Sequence, residues 1–184
     1  MHRAVSEPVV LVLASGRGER FIASGGTGSK LQALLLGKPV LEHTLAAVRA
    51  SGLAWHLEDA GHAGMGDSIA AAVRATRDAS GWLVLPGDLP LVLPATLQAV
   101  ARALREHDAV APLFAGQRGH PVGFSAACGA ELAVLEGNQG AVQVLRAHRA
   151  IDLIVDDIGC VTDIDTVAQL GAAERVLRER ATRV

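Results

Sequence analysis

The 184-residue sequence contains no tyrosine, three phenylalanines and two tryptophans. With so few rings and so much Ala, Val and Leu, packed helices on a parallel sheet are expected rather than a sandwich or barrel. Only two cysteines occur, Cys128 and Cys160, isolated and without CxxC spacing. Neither a disulfide framework nor a zinc site is therefore expected, and a reducing compartment fits. Positive charge is not in surplus: 17 Lys and Arg stand against 19 Asp and Glu, a net −2. The basic residues are scattered, with no stripe or aromatic ladder, which argues against a nucleic-acid partner. No apolar run approaches the length of a membrane span, and the opening MHRAVSEP carries no signal-peptide apolar region. A soluble, cytoplasmic protein without a membrane partner is expected.

What is present is a core. Half of the residues are hydrophobic, ample for one domain covering residues 1–184. No linker, repeat or low-complexity block divides the chain. Apolar runs at 9–13, 53–57, 82–85, 109–113, 121–124 and 151–155 read as strands, the last alternating in polarity as an edge strand does. Helical spacing follows Lys38-Pro39, recurs from Ile69 to Thr76 and from Pro94 to about Glu106, and returns over 128–136, from a cap at Asn138 to His148, and from a cap at Asp165-Thr166 to about Arg180. Strands alternate with helices throughout. The expected fold is a three-layer α/β/α, Rossmann-like arrangement on a mostly parallel sheet. In such sheets ligands bind at the carboxyl ends of strands, so loops 15–30, 59–68, 86–90 and 118–120 are candidates to share one rim.

The stretch VVLVLASGRGERFIASGGTGSK (9–30) reads as a buried strand opening onto a polyanion-binding loop. Glycines bring bare N–H groups up to phosphate oxygens, and Arg17, Arg20 and Lys30 supply compensating charge. Two common owners of such loops are set aside. Gly16-Arg17-Gly18 begins a GxGxxG fingerprint but Phe21 stands at the third glycine, and SGGTGSK departs from a P-loop at Ser29 and Leu31. In LPGDLP (85–90), Asp88 follows a buried strand and projects a hard oxygen ligand suited to Mg²⁺. A Pro-Gly-Asp turn capping its own backbone is the competing reading.

The blocks LASGRGERF, SKL, GKPVLEHTL, GMGDSIAAAV, LPGDLPLV, GHPVGFS, GNQGA and DIDT, in that order, resemble the MobA-like NTP transferase family, the molybdenum cofactor cytidylyltransferases and guanylyltransferases. The resemblance covers nearly the whole chain. It implies an NTP donor, Mg²⁺, pyrophosphate release and a phosphorylated acceptor, molybdopterin, with a client molybdoenzyme or maturation factor as macromolecular partner. By position, Leu13, Ala14, Ser15 and Gly16 match the segment that meets base and ribose. Gly18, Arg20 and Lys30 match the triphosphate residues, and Asp88 matches the metal aspartate. Asp163 or Asp165 is a further metal or substrate contact, with helix capping by Asp165 as the competing reading. Asp67, Ser68, His120, Asn138 and Gln139 are candidates for the acceptor side.

The sequence also departs from the family pattern. Arg20 and Lys30 are ten residues apart rather than about five, with the intervening IASGGTGS expected to be mobile, as a lid or as slack. Asp67 follows Gly-Met-Gly, Asn138 replaces an aspartate, and one β–α unit is missing before Met65. LASG lacks the second glycine of LAGG, which favours CTP over GTP. A nucleotidyltransferase acting on a sugar or polyol phosphate, and a non-catalytic nucleotide-binding accessory protein, are the alternatives.

Overall fold

The computed structural model describes residues 7–16 and 18–182; Arg17, counted above among the loop charges, lies outside them. The chain runs β1 (Val9–Leu13), α1 (Glu19–Ala23), β2 (Leu34–Leu35), β3 (Lys38–Pro39), α2 (Val40–Ser51), β4 (Trp55–Glu58), α3 (Met65–Ala75) and β5 (Gly81–Pro86). It continues with α4 (Pro94–Ala103), β6 (Ala109–Phe114), β7 (Gln117–Arg118), β8 (Val122–Ser125), α5 (Gly129–Leu132), α6 (Val142–Ala147), β9 (Ile151–Ile154) and α7 (Val167–Thr182).

Seven strands form one mixed sheet in the order β4-β1-β5-β8-β6-β7, with β9 also paired to β6. β1 runs parallel to both β4 and β5, and β6 parallel to β9; β8 lies antiparallel between β5 and β6. β1, β4 and β5 therefore deliver their carboxyl ends to one rim. Only β4 intervenes between α2 and α3, as the sequence indicated. The small β2–β3 hairpin was not anticipated.

Period-two alternation sorts each strand onto two helical layers. Leu11, Trp82, Val84, Ala111 and Phe124 face one layer, where α3, α5 and α6 supply Ile69, Val73, Leu132 and Val144. Val10, Val12, Leu83, Leu85 and Val110 face the other, where α2 and α4 supply Leu45, Val48, Leu97 and Val100. Val10, Leu11 and Val12 are fully buried, as expected of a central strand packed on both sides. Each such side chain contributes about 1.5–3 kcal/mol by leaving water.

A third cluster sits under the rim, where Phe21, Leu35, Val40, Leu91 and Ile164 meet Ala173 of α7. It anchors the start of the 21–30 stretch. Phe21 is buried, and Ser24 Oγ accepts a 3.0 Å hydrogen bond from Val167 N. Of the 22–29 segment, Ile22 and Ala23 complete the short helix α1 and Ser24 ties it to α7, while residues 25–29 form an exposed turn and loop.

One capping expectation is corrected and the Asp165-Thr166 cap is narrowed to one residue. Asn138 does not cap the following helix, which begins at Val142 with Ala141 at its cap position. At α7 the cap is Thr166, not Asp165. Thr166 Oγ1 accepts from Gln169 N at 3.2 Å, while Gln169 Oε1 accepts from Asp165 N at 2.9 Å, a variant of the capping box that reaches back one residue before the cap. The Asp165 carboxylate is thereby left free to point elsewhere. Cys128 and Cys160 are buried free thiols, and burial pushes both up to about 11, so they are inert at neutral pH. No helix among the described residues is long and apolar enough to cross a membrane.

Candidate active site

β1 ends at Leu13 and hands the chain to Ala14-Ser15-Gly16 directly beside the end of β5. The two strand ends are tied by Gly87 N donating to Leu13 O at 2.9 Å, and α2 anchors the same turn through Thr44 Oγ1 to Gly87 O at 2.9 Å. Asp88 therefore leaves the sheet on a fixed backbone, not on a free turn. Ile164 N donates to Asp88 O at 3.0 Å, which brings the DIDT segment alongside. The buried Asp157 carboxylate holds that segment by accepting from Leu93 N, Thr96 Oγ1 and Gly159 N at 2.7–2.9 Å.

Lys30 closes the group. Its Nζ lies 2.5 Å from Asp88 Oδ2 and 2.6 Å from Asp165 Oδ1, and Arg20 reaches Asp165 Oδ2 at 2.6 Å. Gly18 adopts φ +65, and a Cβ there would lie 3.4 Å from Lys30 Cγ, so the glycine both turns the chain and makes room for the lysine stem. Burial acts to lower the Lys30 pKa, but the charge of Asp88 and the bonds to both carboxylates hold it above its ordinary value. Burial acts to raise Asp165, and Lys30 and Arg20 hold it below the usual carboxylate range. Asp163 is pushed up by partial burial and by the negative charges of Asp165 and Asp88.

Asp88, Asp163 and Asp165 bring carboxylate oxygens within 4.8 Å of one another. Asp88 Oδ1 is buried and has no hydrogen-bond partner among the described residues. Three hard oxygens with one uncommitted lone-pair face fit a divalent cation such as Mg²⁺ or Mn²⁺.

These residues border a cleft of about 480 Å³, within the range of small-ligand sites. Leu13, Ser15, Gly16, Gly18, Arg20 and Lys30 line one part of it with Asp88 and Asp165; Ala14 is not among its lining residues. Of the acceptor set, Ser68 and Asn138 line it and the other three do not. Asp67 turns its carboxylate to Gly137 N at 3.2 Å, and Gln139 pairs with Gln143. His120 sits beneath the carboxylates: Gly119 packs on the Cys160 backbone, His120 N donates to Cys160 O, and its Nδ1 is buried without a partner among the described residues. Burial lowers its pKa, against the pull of the Val84 backbone, Asp88 and Asp163.

Sequence reasoning gave Ser68 and Asn138 on the far wall but not the Glu58–His62 pair beside them. His62 lines the cleft, with Nε2 3.0 Å from Glu58 Oε1. Glu58 ends β4 buried, and also meets His56 and Ala60 N. Burial acts to raise its pKa, but these partners hold it below the usual value. The signal available was an i, i+4 Glu–His pair at a strand end facing the rim.

The far wall is also closed by backbone contact. A Cβ on Gly64 would lie 2.3 Å from Gly137 C, and Gly66 N donates to Gly137 O at 2.7 Å. GMG and GNQG, 73 residues apart by number, therefore form one packed unit.

Comparison with known proteins follows the same lines. Residues 49–151 match the MobA-like NTP transferase domain. A curated relative, the bifunctional protein GlmU of Desulfitobacterium hafniense, is 28% identical over 135 residues, covering 62% of this chain but only 29% of that protein. Among solved structures, Rv0371c from Mycobacterium tuberculosis H37Rv superposes with a TM-score of 0.78 at 23% identity, covering 94% of this chain and 99% of that one. The same protein in complex with manganese gives a TM-score of 0.69 at 21% identity, with 94% and 100% covered. The molybdopterin-guanine dinucleotide biosynthesis protein A from Archaeoglobus fulgidus gives a TM-score of 0.68 at 21% identity, with 93% and 99% covered. At these identities the structures speak to the fold.

Proposed function

Because the chain belongs to the MobA-like NTP transferase family, we propose that it transfers the nucleoside monophosphate of an NTP, CTP in preference, to the phosphate of molybdopterin and releases pyrophosphate. The observation that carries this reading is the convergence of Lys30, Arg20 and three carboxylates beside the glycine loop. The preference for CTP rests on LASG, which lacks the second glycine of LAGG.

An acceptor phosphate oxygen attacks the α-phosphorus. The bond from that phosphorus to the bridging oxygen breaks, and the electron pair leaves with pyrophosphate. The attacking oxygen is already ionised at neutral pH, so the protein's contribution is positioning and charge stabilisation. Gly16 and Gly18 offer backbone N–H groups to phosphate oxygens. Lys30 and Arg20 neutralise the β- and γ-phosphates as the leaving group gains charge. Asp88 and Asp165, with Asp163 beside them, would hold Mg²⁺. When bound, that ion supplies Lewis-acid charge at the phosphoryl oxygens. Ser68 and Asn138, across the cleft, face the acceptor. Manganese in the solved Rv0371c complex supports a divalent cation.

The test is pyrophosphate release from CTP, GTP, ATP and UTP against molybdopterin and a panel of sugar and polyol phosphates, with calorimetry of each nucleotide with and without Mg²⁺. CTP with molybdopterin is expected to turn over fastest. Lys30→Ala and Asp88→Ala should each cost at least about tenfold in turnover, or about 1.4 kcal/mol of barrier. Full activity in both variants would remove the site assignment. Faster turnover of a polyol phosphate would replace the acceptor. Metal-dependent nucleotide binding with no pyrophosphate from any acceptor would make the protein a binding module.

A further inference from the structure

Lys30 occupies the position its own carboxylates would offer a metal ion. Its Nζ bridges Asp88 Oδ2 at 2.5 Å and Asp165 Oδ1 at 2.6 Å, in a side chain only 12% exposed. A divalent ion binds carboxylate oxygens at about 2.0–2.6 Å. An ammonium at hydrogen-bond distance from the same two oxygens excludes it both by volume and by like charge. Exclusion is not permanent, because lysine is a compact charge on a flexible four-carbon stem. That stem lies against Gly18, at the mouth of the glycine loop, with Arg20 beyond it on the same carboxylate. The other face of Asp88 is held back from this pairing, since Oδ1 is buried and makes no hydrogen bond among the described residues.

We infer that Lys30 has two stations: resident counter-ion of Asp88 and Asp165 before nucleotide arrives, and phosphate ligand once a polyphosphate draws the ammonium off. The inference rests on the nucleotidyltransferase reading above and deepens it. Three carboxylates face two cations, Lys30 and Arg20, and Arg20 is 80% exposed on its side chain, so its charge is largely screened. Lys30 is then the group that keeps the carboxylates from recruiting a metal on their own. Metal and nucleotide load together because each needs the lysine in the same new place. A lysine serving only as a phosphate ligand would leave the affinity for metal alone unchanged when removed. One serving as a resident counter-ion must raise that affinity when removed.

The experiment is Mn²⁺ binding to the full chain without nucleotide, read as loss of the free-ion electron paramagnetic resonance signal, for the wild type, Lys30→Met, Lys30→Gln and Asp88→Asn. Both Lys30 variants should bind Mn²⁺ more tightly than the wild type by at least about fivefold, the low end of ordinary coupling between ligands. Removing the lysine also leaves two carboxylates facing each other, so the variants should melt lower without metal. Mn²⁺ should then raise their melting temperature more than it raises the wild type's; the glutamine variant retains hydrogen-bond donors should the methionine variant fold poorly. Equal or weaker Mn²⁺ binding by both Lys30 variants, with binding lost in Asp88→Asn, would overturn the two-station role and leave the metal reading standing. No Mn²⁺ bound by any form, even with CTP added, would overturn both.

Discussion

One wall of the cleft is organised by charge and the other by the absence of side chains. On the first, Lys30 and Arg20 are drawn to Asp88 and Asp165 across 58 to 145 positions of sequence. On the second, Gly64 and Gly66 press against the backbone of Glu136 and Gly137 at distances no Cβ tolerates. The difference is one of adjustability. Ion pairs formed by long side chains can exchange partners while the backbone stays still, as the proposed loading of a nucleotide and a cation would require. A glycine-on-glycine contact has a single solution, so it fixes where Ser68 and Asn138 stand.

That contrast breaks most sharply at Gly64. Gly64→Ala drives a methyl group into Gly137, and urea unfolding should show a loss of about 3 kcal/mol, the upper part of the overpacking range. A loss below about 1 kcal/mol would show that the far wall adjusts as freely as the near one.

The charged wall should yield less, and in a pH-dependent way. Asp165→Asn is expected to cost about 1–2 kcal/mol at neutral pH, mostly through Lys30, since the bridge to exposed Arg20 is worth little. Because Lys30 and Arg20 hold the Asp165 carboxyl below its ordinary range, its contribution is present above the unfolded carboxylate value, about 3.9. It fades as pH falls through the lower folded value. Unfolding curves of wild type and variant should therefore draw together as pH falls below about 3.9 and meet only below the lower folded value. A gap that persists there would mean that packing, not charge, holds Asp165.

The smallest effect tests whether the charged wall depends on helix geometry. Thr166→Ala removes the cap of α7 next to Asp165 and should cost about 1 kcal/mol in thermal stability. Lys30 and Asp165 keep their partners in that variant. A loss of turnover larger than the loss of stability would show that the cap aims the carboxylate.

Elements whose apolar pattern is long enough were legible from sequence: β1, β5, β6 and the two-layer alternation of Val10, Leu11 and Val12. So was the rim that brings Lys30 and Asp88 together, because parallel strands place their following loops on one edge. Short or non-periodic features were not. The helix Glu19–Ala23 spans five residues, too few for a repeat, and tertiary contacts through Phe21, Arg20 and the following Ser24 fix it. Asp165 and Thr166 are both good caps in isolation. The choice fell to Thr166 because Gln169 reciprocates and Lys30 claims the aspartate. Asn138 has the residue type of a cap, but the helix starts four residues later. The i, i+4 spacing of Glu58 and His62 is a weak signal by itself, and only the fold turns the pair towards the cleft.

The backbone bond from Ile164 N to Asp88 O has a consequence for how the protein is made. It is the stitch that sets Asp165 beside Asp88, and it joins residues 76 positions apart by number. Lys30 must then find a partner 135 positions away. Contacts of such long range form only after most loop-closure entropy has been spent. A ribosome-bound chain can thus complete β1, β5 and their helices while its carboxylates are still unassembled. The three carboxylates come together only when the 163–166 segment docks against Asp88, so their assembly belongs to the late, long-range stage of folding.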